Sequence, residues 1–336
     1  MRILYDLRWE GAHGIGRYSR EVYRCLQSQL VPLRNGPKPS SPIDTLWLCK
    51  VLKTIKPDLF YSPGYNLPIG QKTPFICTLH DIMHIRVPGE AGWLKKFYFN
   101  FFLKKQLCYA QCIFTVSEFS RQDILSWCPD VDPKKVIVTG NGYSDVFTQN
   151  GEKAWVEAPY FLYVGNRKAH KNIARMLEAF RLAKLSHPDL KLVMTGFLDN
   201  TLKRFLEKYR FVESVILLGV VDDIELAAYY RGAVGVLTPS LYEGFGLSVI
   251  EGQACGTPVI AGNLTALPEV AGNAALLVNP YDVKAIATAM HRILTEPELV
   301  SRLRVLGLEN VKRYTWQSVA DKIAKVLDEV AGEIGV

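Results

Sequence analysis

Pro239-Ser240-Leu241-Tyr242-Glu243-Gly244-Phe245-Gly246-Leu247-Ser248-Val249-Ile250-Glu251 sets two carboxylates on either side of a glycine-rich turn and a short apolar run. The apolar segment Ala233–Thr238 just before it has the length and composition of a buried strand. The apolar residues after Gly246 fit a helix that should end near Cys255-Gly256. The stretch therefore reads as strand, tight loop, helix. The helix N-terminus of such a unit offers free N–H groups and the positive end of a dipole, which suit a phosphate. Glu243 falls in the loop, within reach of a substrate. Glu251 falls on the helix, where it could accept hydrogen bonds from hydroxyls.

The same alternation of short apolar runs and helical patterns fills the chain, as expected for parallel sheets. In the first half, strands are expected at Arg2–Leu7, Asp58–Ser62, Phe75–Leu79, Ile113–Val116 and Val136–Val138. A glycine loop, Gly11–Gly16, should lead into a helix from Tyr18 to about Gln29, and Ser117 is a candidate N-cap for a helix through Trp127. A weakly patterned stretch from Thr139 to Pro159 reads as a linker. The pattern then restarts, with strands at Tyr160–Val164, Lys191–Thr195, Val215–Leu218 and Pro258–Ala261. Helices are expected at Asn172–Lys184, Leu226–Arg231, about Val283–Leu294 and Trp316–Ala331, with Asp222 and Glu225 as a capping box.

The length of 336 residues favours two domains, and a hydrophobic fraction of 49% supplies their cores. Seven cysteines without Cys-x-x-Cys spacing point to reduced thiols and a cytoplasmic setting. No apolar run is long enough to span a bilayer. Residues 1–150 carry 19 Lys/Arg against 12 Asp/Glu and so hold the whole net charge of +7. That asymmetry suits an anionic partner such as a membrane surface or an acidic acceptor, although such balances also occur with no partner. The densest aromatic and basic patch lies within residues 91–112. There Trp93, Leu94, Phe97, Tyr98, Phe101 and Phe102 share one arc of a helix, while Lys95, Lys96, Lys104 and Lys105 scatter around it. Core packing and attachment to an anionic membrane both remain open for it.

Three further clusters could carry chemistry. Gly165-Asn166-Arg167-Lys168-Ala169-His170-Lys171-Asn172 gathers cations at a helix opening, where a departing diphosphate would find compensating charge. Gly11-Ala12-His13-Gly14-Ile15-Gly16-Arg17 follows the first strand without the spacing of the dinucleotide fingerprint, and a plain strand–helix turn would look the same. His80-Asp81 stands at a strand end. His80 and His84 lack a nearby third ligand, and Asp130-Val131-Asp132 sits between prolines in a surface turn, so no metal site is expected.

The run around Glu243 and Glu251 resembles the signature of the retaining, GT-B-fold glycosyltransferases of family four (glycosyl transferases group 1). The likeness continues through Ala254-Cys255-Gly256-Thr257-Pro258-Val259-Ile260 and Leu267-Pro268-Glu269-Val270-Ala271-Gly272 and covers most of the chain. It implies an α/β protein of two Rossmann-like, doubly wound domains facing across a cleft. These would be an acceptor-side domain over residues 1–148, a nucleotide-sugar domain over 149–315, and a last helix, 316–336, returning to the first domain. The implied reaction is retaining transfer of a hexosyl group to a glycan or lipid-linked glycan in surface-polysaccharide synthesis. The donor would be a nucleotide-diphosphate sugar, with GDP-mannose preferred over UDP- and dTDP-linked sugars. No metal, other cofactor or nucleic acid is implied.

By the same resemblance, Arg167 and Lys171 grip the diphosphate, although Asn166 stands where the family commonly has that arginine. Glu243 orients the sugar with the backbone of Gly244, Phe245, Gly246 and Leu247. Glu251 binds ribose, Gly14 and Gly16 let the backbone approach the donor, and His80 contacts the transferred sugar. Two rivals are a two-domain nucleotide-sugar epimerase, which would lack the Glu-x7-Glu helix, and a non-catalytic binding subunit, against which Lys171, Glu243 and Glu251 stand together.

Overall fold

The computed structural model describes residues 1–335 except 12, 40, 42, 71, 210 and 211, and excludes the side chains of 201, 209 and 212. Ala12 of the first glycine loop thus lies outside the described residues. The chain forms two compact units. One comprises Met1–Gly142 with Thr315–Val336, and the other Tyr143–Tyr314.

Among the described residues, the first unit holds a six-stranded sheet. Its strands are β1 (Ile3–Asp6), β2 (Leu30–Leu33), β3 (Leu59–Ser62), β4 (Phe75–Thr78), β5 (Cys112–Thr115) and β6 (Val136–Val138), in the order β2-β1-β3-β4-β5-β6. All pairings are parallel. β1, β3, β4 and β5 are buried at every residue, which explains their unbroken apolar composition. The edge strand β2 was not legible in the sequence. It is half exposed and contains Pro32, which can donate no ladder hydrogen bond.

The helix after β1 starts at Gly14, a turn earlier than expected, because His13 caps it through Nδ1, which accepts from Gly16 N–H at 3.0 Å. Ser117 caps the helix Glu118–Trp127 by accepting from Ser120 N–H at 3.0 Å. The final helix, Trp316–Ile334, packs on the helix Gly14–Leu26 with Val319, Ile323, Val326, Leu327 and Val330 buried. Gly142 lets the chain pass, since a Cβ there would stand 2.6 Å from Trp316 N.

The second unit contains β7 (Tyr160–Tyr163), β8 (Lys191–Met194), β9 (Val215–Leu217), β10 (Gly235–Thr238), β11 (Val259–Gly262) and β12 (Ala275–Val278), ordered β12-β11-β10-β7-β8-β9. Counted within the unit this is the doubly wound order 3-2-1-4-5-6 in mirror listing, with its reversal between β7 and β10. Its core gathers Phe161 and Tyr163 of β7 with Met176, Leu177 and Phe180 of the helix Ile173–Ser186 and Met290 of the helix Val283–Thr295. Burying each such side chain stabilises by about 2 kcal/mol. Asp222 caps its helix by accepting from Glu225 N–H at 2.8 Å. The helices Asn200–Tyr209 and Pro297–Asn310 and the edge strand β12 were additional to the sequence reading.

The patch between residues 91 and 112 forms a helical run, Trp93–Phe97 and Lys104–Leu107, joined by one turn of π-helix, Tyr98–Leu103. Phe99, Leu103, Leu107 and Ala110 enter the core, and Tyr98 packs against it. Trp93, Leu94, Phe97, Phe101 and Phe102 are exposed, Trp93 by 75%. Core packing therefore fails for most of the arc. The wider π-turn carries Phe101 and Phe102 outward beside Phe97, whose ring lies 4.6 Å from that of Phe101. Lys95 is not a surface cation: its Nζ donates to Tyr65 Oη at 3.0 Å and meets His84 Nε2 at 2.9 Å.

Candidate functional site

In a doubly wound sheet, the loops after the two strands flanking the reversal diverge and leave room for a ligand. In the second unit these are the Gly165–Asn172 loop after β7 and the Pro239–Gly246 loop after β10. Hydrogen bonds tie them together. Leu241 N–H donates to His170 O at 2.7 Å, and Asn172 Nδ2 donates to Pro239 O at 3.0 Å. Asn172 also donates to Pro280 O at 2.6 Å, and its backbone is left-handed at φ 60°. That conformation suits asparagine, and it turns the cationic loop back into the helix Ile173–Ser186. Arg175 braces this asparagine through Nη1 at 3.2 Å from Asn172 Oδ1.

The loops bring Lys171 and Glu243 together, with Nζ 2.6 Å from Oε1 and both side chains largely buried. Arg167 is turned inward too. Its Nη1 lies 3.5 Å from Asp199 Oδ2, a weak pairing, while Nε and Nη2 are buried with no hydrogen-bond partner. Buried, unsatisfied guanidinium donors are costly, and an anion is their natural acceptor. Asn166 is exposed; its side chain accepts from Lys168 N–H and its carbonyl from Tyr163 Oη, so it shapes the loop.

Glu243 is held from behind by a residue the sequence reading missed. Thr265 Oγ1 accepts from Glu243 N–H at 3.0 Å, and Glu243 O accepts from Ala266 N–H at 3.3 Å. Thr265 is itself left-handed at φ 60°, a costly state for a β-branched residue, and only this structural context marks it. Gly244, Phe245 and Gly246 are buried, and Phe245 packs edge-on against Tyr314 at 5.4 Å. Gly246 has φ 108°, and a Cβ there would stand 2.7 Å from Leu267 Cδ2. This turn starts the helix Leu247–Ala254, whose N-cap Gly246 supplies no side-chain capping bond. Ser240 Oγ is fully buried without a partner in the same loop. Glu251, on the second turn, is 3% exposed and accepts from Tyr230 Oη at 2.8 Å.

In the first unit the reversal lies between β1 and β3, and His80 follows β4. His80 Nε2 donates to Pro63 O at 3.0 Å, which fixes Nδ1 as the acceptor. Tyr18 meets the ring edge-on at 4.8 Å. Burial, reinforced by His13 and opposed by the Pro63 bond, holds the imidazole down at about 4, so it is neutral near pH 7. The two glycines of the first loop part company. A Cβ on Gly16 would lie 2.4 Å from Gly11 O, whereas one on Gly14 would meet nothing within 4 Å. Asp132 caps a turn by accepting from Lys134 N–H at 2.9 Å.

Residues 12–147 match the family described as Glycosyltransferase Family 4, and residues 147–305 match Glycosyl transferases group 1. The O-antigen chain mannosyltransferase RfbU of Salmonella typhimurium is 30% identical over 255 residues, covering 75% of this chain and 69% of that protein. The chain belongs to this family. The glycosyltransferase is also 29% identical to O-antigen chain mannosyltransferase B of Escherichia coli over 80% of its own length and 73% of the relative's. Among solved structures, it superposes on a sucrose-phosphate synthase from Thermosynechococcus elongatus with a TM-score of 0.80 at 20% identity, covering 99% and 100% of the two chains. Anabaena HepE, solved in complex with UDP-glucose, gives 0.76 at 14%, covering 98% and 100%. The fold is GT-B.

Proposed function

We propose that this glycosyltransferase moves a mannosyl group from GDP-mannose to a glycan or lipid-linked glycan during surface-polysaccharide synthesis, with retention at the anomeric carbon. One observation carries the reading. Arg167 brings buried, unpartnered N–H donors to the sheet reversal that also holds Lys171 and the N-terminus of the helix Leu247–Ala254. That is a seat for a doubly charged leaving group. The mannosyl preference follows the two O-antigen relatives.

In the proposed step the acceptor oxygen bonds to the sugar's anomeric carbon on the face the diphosphate leaves, and the carbon–oxygen bond to the diphosphate breaks. The acceptor proton passes to a departing diphosphate oxygen. Arg167 and Lys171 balance the growing charge, and that charge balance makes the reaction metal-independent. Glu243, fixed by Thr265, orients the sugar, with the backbone N–H groups of Phe245, Gly246 and Leu247 on the diphosphate. Asn166 and Gly244 keep the two loops in register. Glu251 takes the ribose, Gly14 allows close backbone approach, Gly16 preserves that loop, and His80 offers Nδ1 to a sugar hydroxyl.

The first unit docks on an anionic membrane face through the exposed Trp93, Leu94, Phe97 and Phe101 with Lys96, Lys104 and Lys105. The apolar arc enters the acyl boundary and the lysines meet lipid phosphates.

The test is purified enzyme with GDP-mannose, UDP-glucose and dTDP-rhamnose, a lipid-linked glycan acceptor, and excess EDTA. Acceptor-dependent GDP release that persists in EDTA, with an α-linked mannoside as product by NMR, is expected. GDP release without an acceptor product, or an inverted product, would overturn the reading. Flotation with vesicles of phosphatidylglycerol, but not phosphatidylcholine, should capture the protein, and Phe101→Ser with Lys104→Glu should abolish capture.

A further inference from the structure

Two thiols converge on one backbone oxygen at the end of the aromatic helical run. Cys108 Sγ donates to Lys104 O at 3.6 Å, and Cys128 Sγ donates to the same oxygen at 3.4 Å. Sharing one acceptor at these distances places the two sulfurs side by side. Cys108 ends the helix Lys104–Leu107, and Cys128 ends the helix Glu118–Trp127. Their surroundings differ. Cys128 is fully buried, whereas Cys108 is half-buried and lines a cavity of about 280 Å³ with Asn100, Lys104, Lys105, Tyr109 and Asp130. An oxidant entering that cavity meets Cys108, whereas Cys128 is buried and does not line it. Cys77 and Cys112, on the neighbouring strands β4 and β5, are both buried.

We propose that Cys108 and Cys128 are a redox modification site, an attacking and a resolving thiol that a peroxide converts into a reversible disulfide. The Cys108 thiolate attacks one oxygen of the peroxide. A sulfur–oxygen bond forms, the oxygen–oxygen bond breaks, and hydroxide leaves with a proton to become water. The Cys128 sulfur then displaces the second oxygen from Cys108. The sulfur–sulfur bond forms, the sulfur–oxygen bond breaks, and that oxygen departs as water with the Cys128 proton. The pair loses two electrons, and the peroxide gains them. Burial and the adjacent Cys108 push the Cys128 thiol up to about 12, which keeps Cys128 in the second role.

The bond would join the ends of two helices that already touch through Trp127 Nε1 and Asn100 Oδ1 at 3.0 Å. It therefore closes a loop around β5 and stiffens the run that presents Phe97, Phe101 and Lys105. This goes beyond the proposed function and does not depend on it.

The experiment treats the intact reduced enzyme with hydrogen peroxide, alkylates it, and maps peptides without reduction. A dithiothreitol-reversible Cys108–Cys128 cross-link is expected. With it, the Tm should rise by about 5 °C and tryptic cleavage after Lys104 and Lys105 should slow several-fold. Cys128→Ser should instead trap a dimedone-reactive sulfenic acid on Cys108, and Cys108→Ser should leave Cys128 reduced. Should a variant fail to fold, the wild-type map alone decides. Peroxide-treated protein with Cys128 still open to alkylation after unfolding, or with Cys108 carried to sulfinic acid, overturns the proposal.

Discussion

Lys171→Met removes the ammonium from the proposed leaving-group seat while keeping most of the side-chain volume. A diphosphate oxygen about 3 Å from Nζ gains roughly 5 kcal/mol per unit charge at an effective dielectric near 20. If bond breaking adds about half a charge to that oxygen, some 2–3 kcal/mol of that attraction arises only in the transition state. The side chain is 17% exposed, so screening trims the figure modestly. A loss of about 2 kcal/mol, or roughly 30-fold in kcat, is expected. The substitution also strands Glu243, whose carboxylate loses a partner at 2.6 Å, and should cost about 1–2 kcal/mol of stability. Pairing it with Glu243→Gln separates the two effects. Stability should return towards wild type in the double variant, because no uncompensated charge remains, whereas kcat should stay low. The measurements are initial rates at saturating GDP-mannose and thermal melts of all four proteins. A single variant losing less than threefold in kcat, or a double variant recovering rate along with Tm, would refute the assignment of Lys171 to the leaving group.

Gly16→Ala forces a Cβ to within 2.4 Å of Gly11 O and should destabilise by about 2–3 kcal/mol, while Gly14→Ala should leave the Tm unchanged and raise the donor KM several-fold. Glu251→Gln keeps an acceptor for Tyr230, so melting should move little while the donor KM rises about tenfold; an unchanged KM would remove Glu251 from the ribose role. Between pH 6.5 and 4 the unfolded chain protonates His80 before the folded one does, so stability falls with acid by at most ~3 kcal/mol, and His80→Gln should abolish that fall. Asp44 acts in the opposite sense. Burial, opposed by Arg8, raises its carboxyl to about 6, so its contribution is present in acid and lost as pH rises through 6, and Asp44→Asn should leave a steeper acid decline than wild type in urea titrations across pH.

The sequence by itself determined the strands that are buried on both faces, the order of strand, loop and helix around Glu243, and the family. Unbroken apolar runs, caps such as Ser117 and obligatory glycines such as Gly246 are local requirements, so they leave local marks. It did not reveal the edge strands β2 and β12, where half-exposure and Pro32 blur the signal, nor the outward face of the aromatic run, which a π-turn resets. Tertiary structure alone decided that Arg167 is buried with unpaired donors, that Thr265 anchors Glu243, that Lys95 is spent on His84 and Tyr65, and that Cys108 and Cys128 converge on Lys104 O. Each of these depends on where a distant loop or helix end arrives, and hydrophobic periodicity along one segment carries no record of the side chain that will meet it across space.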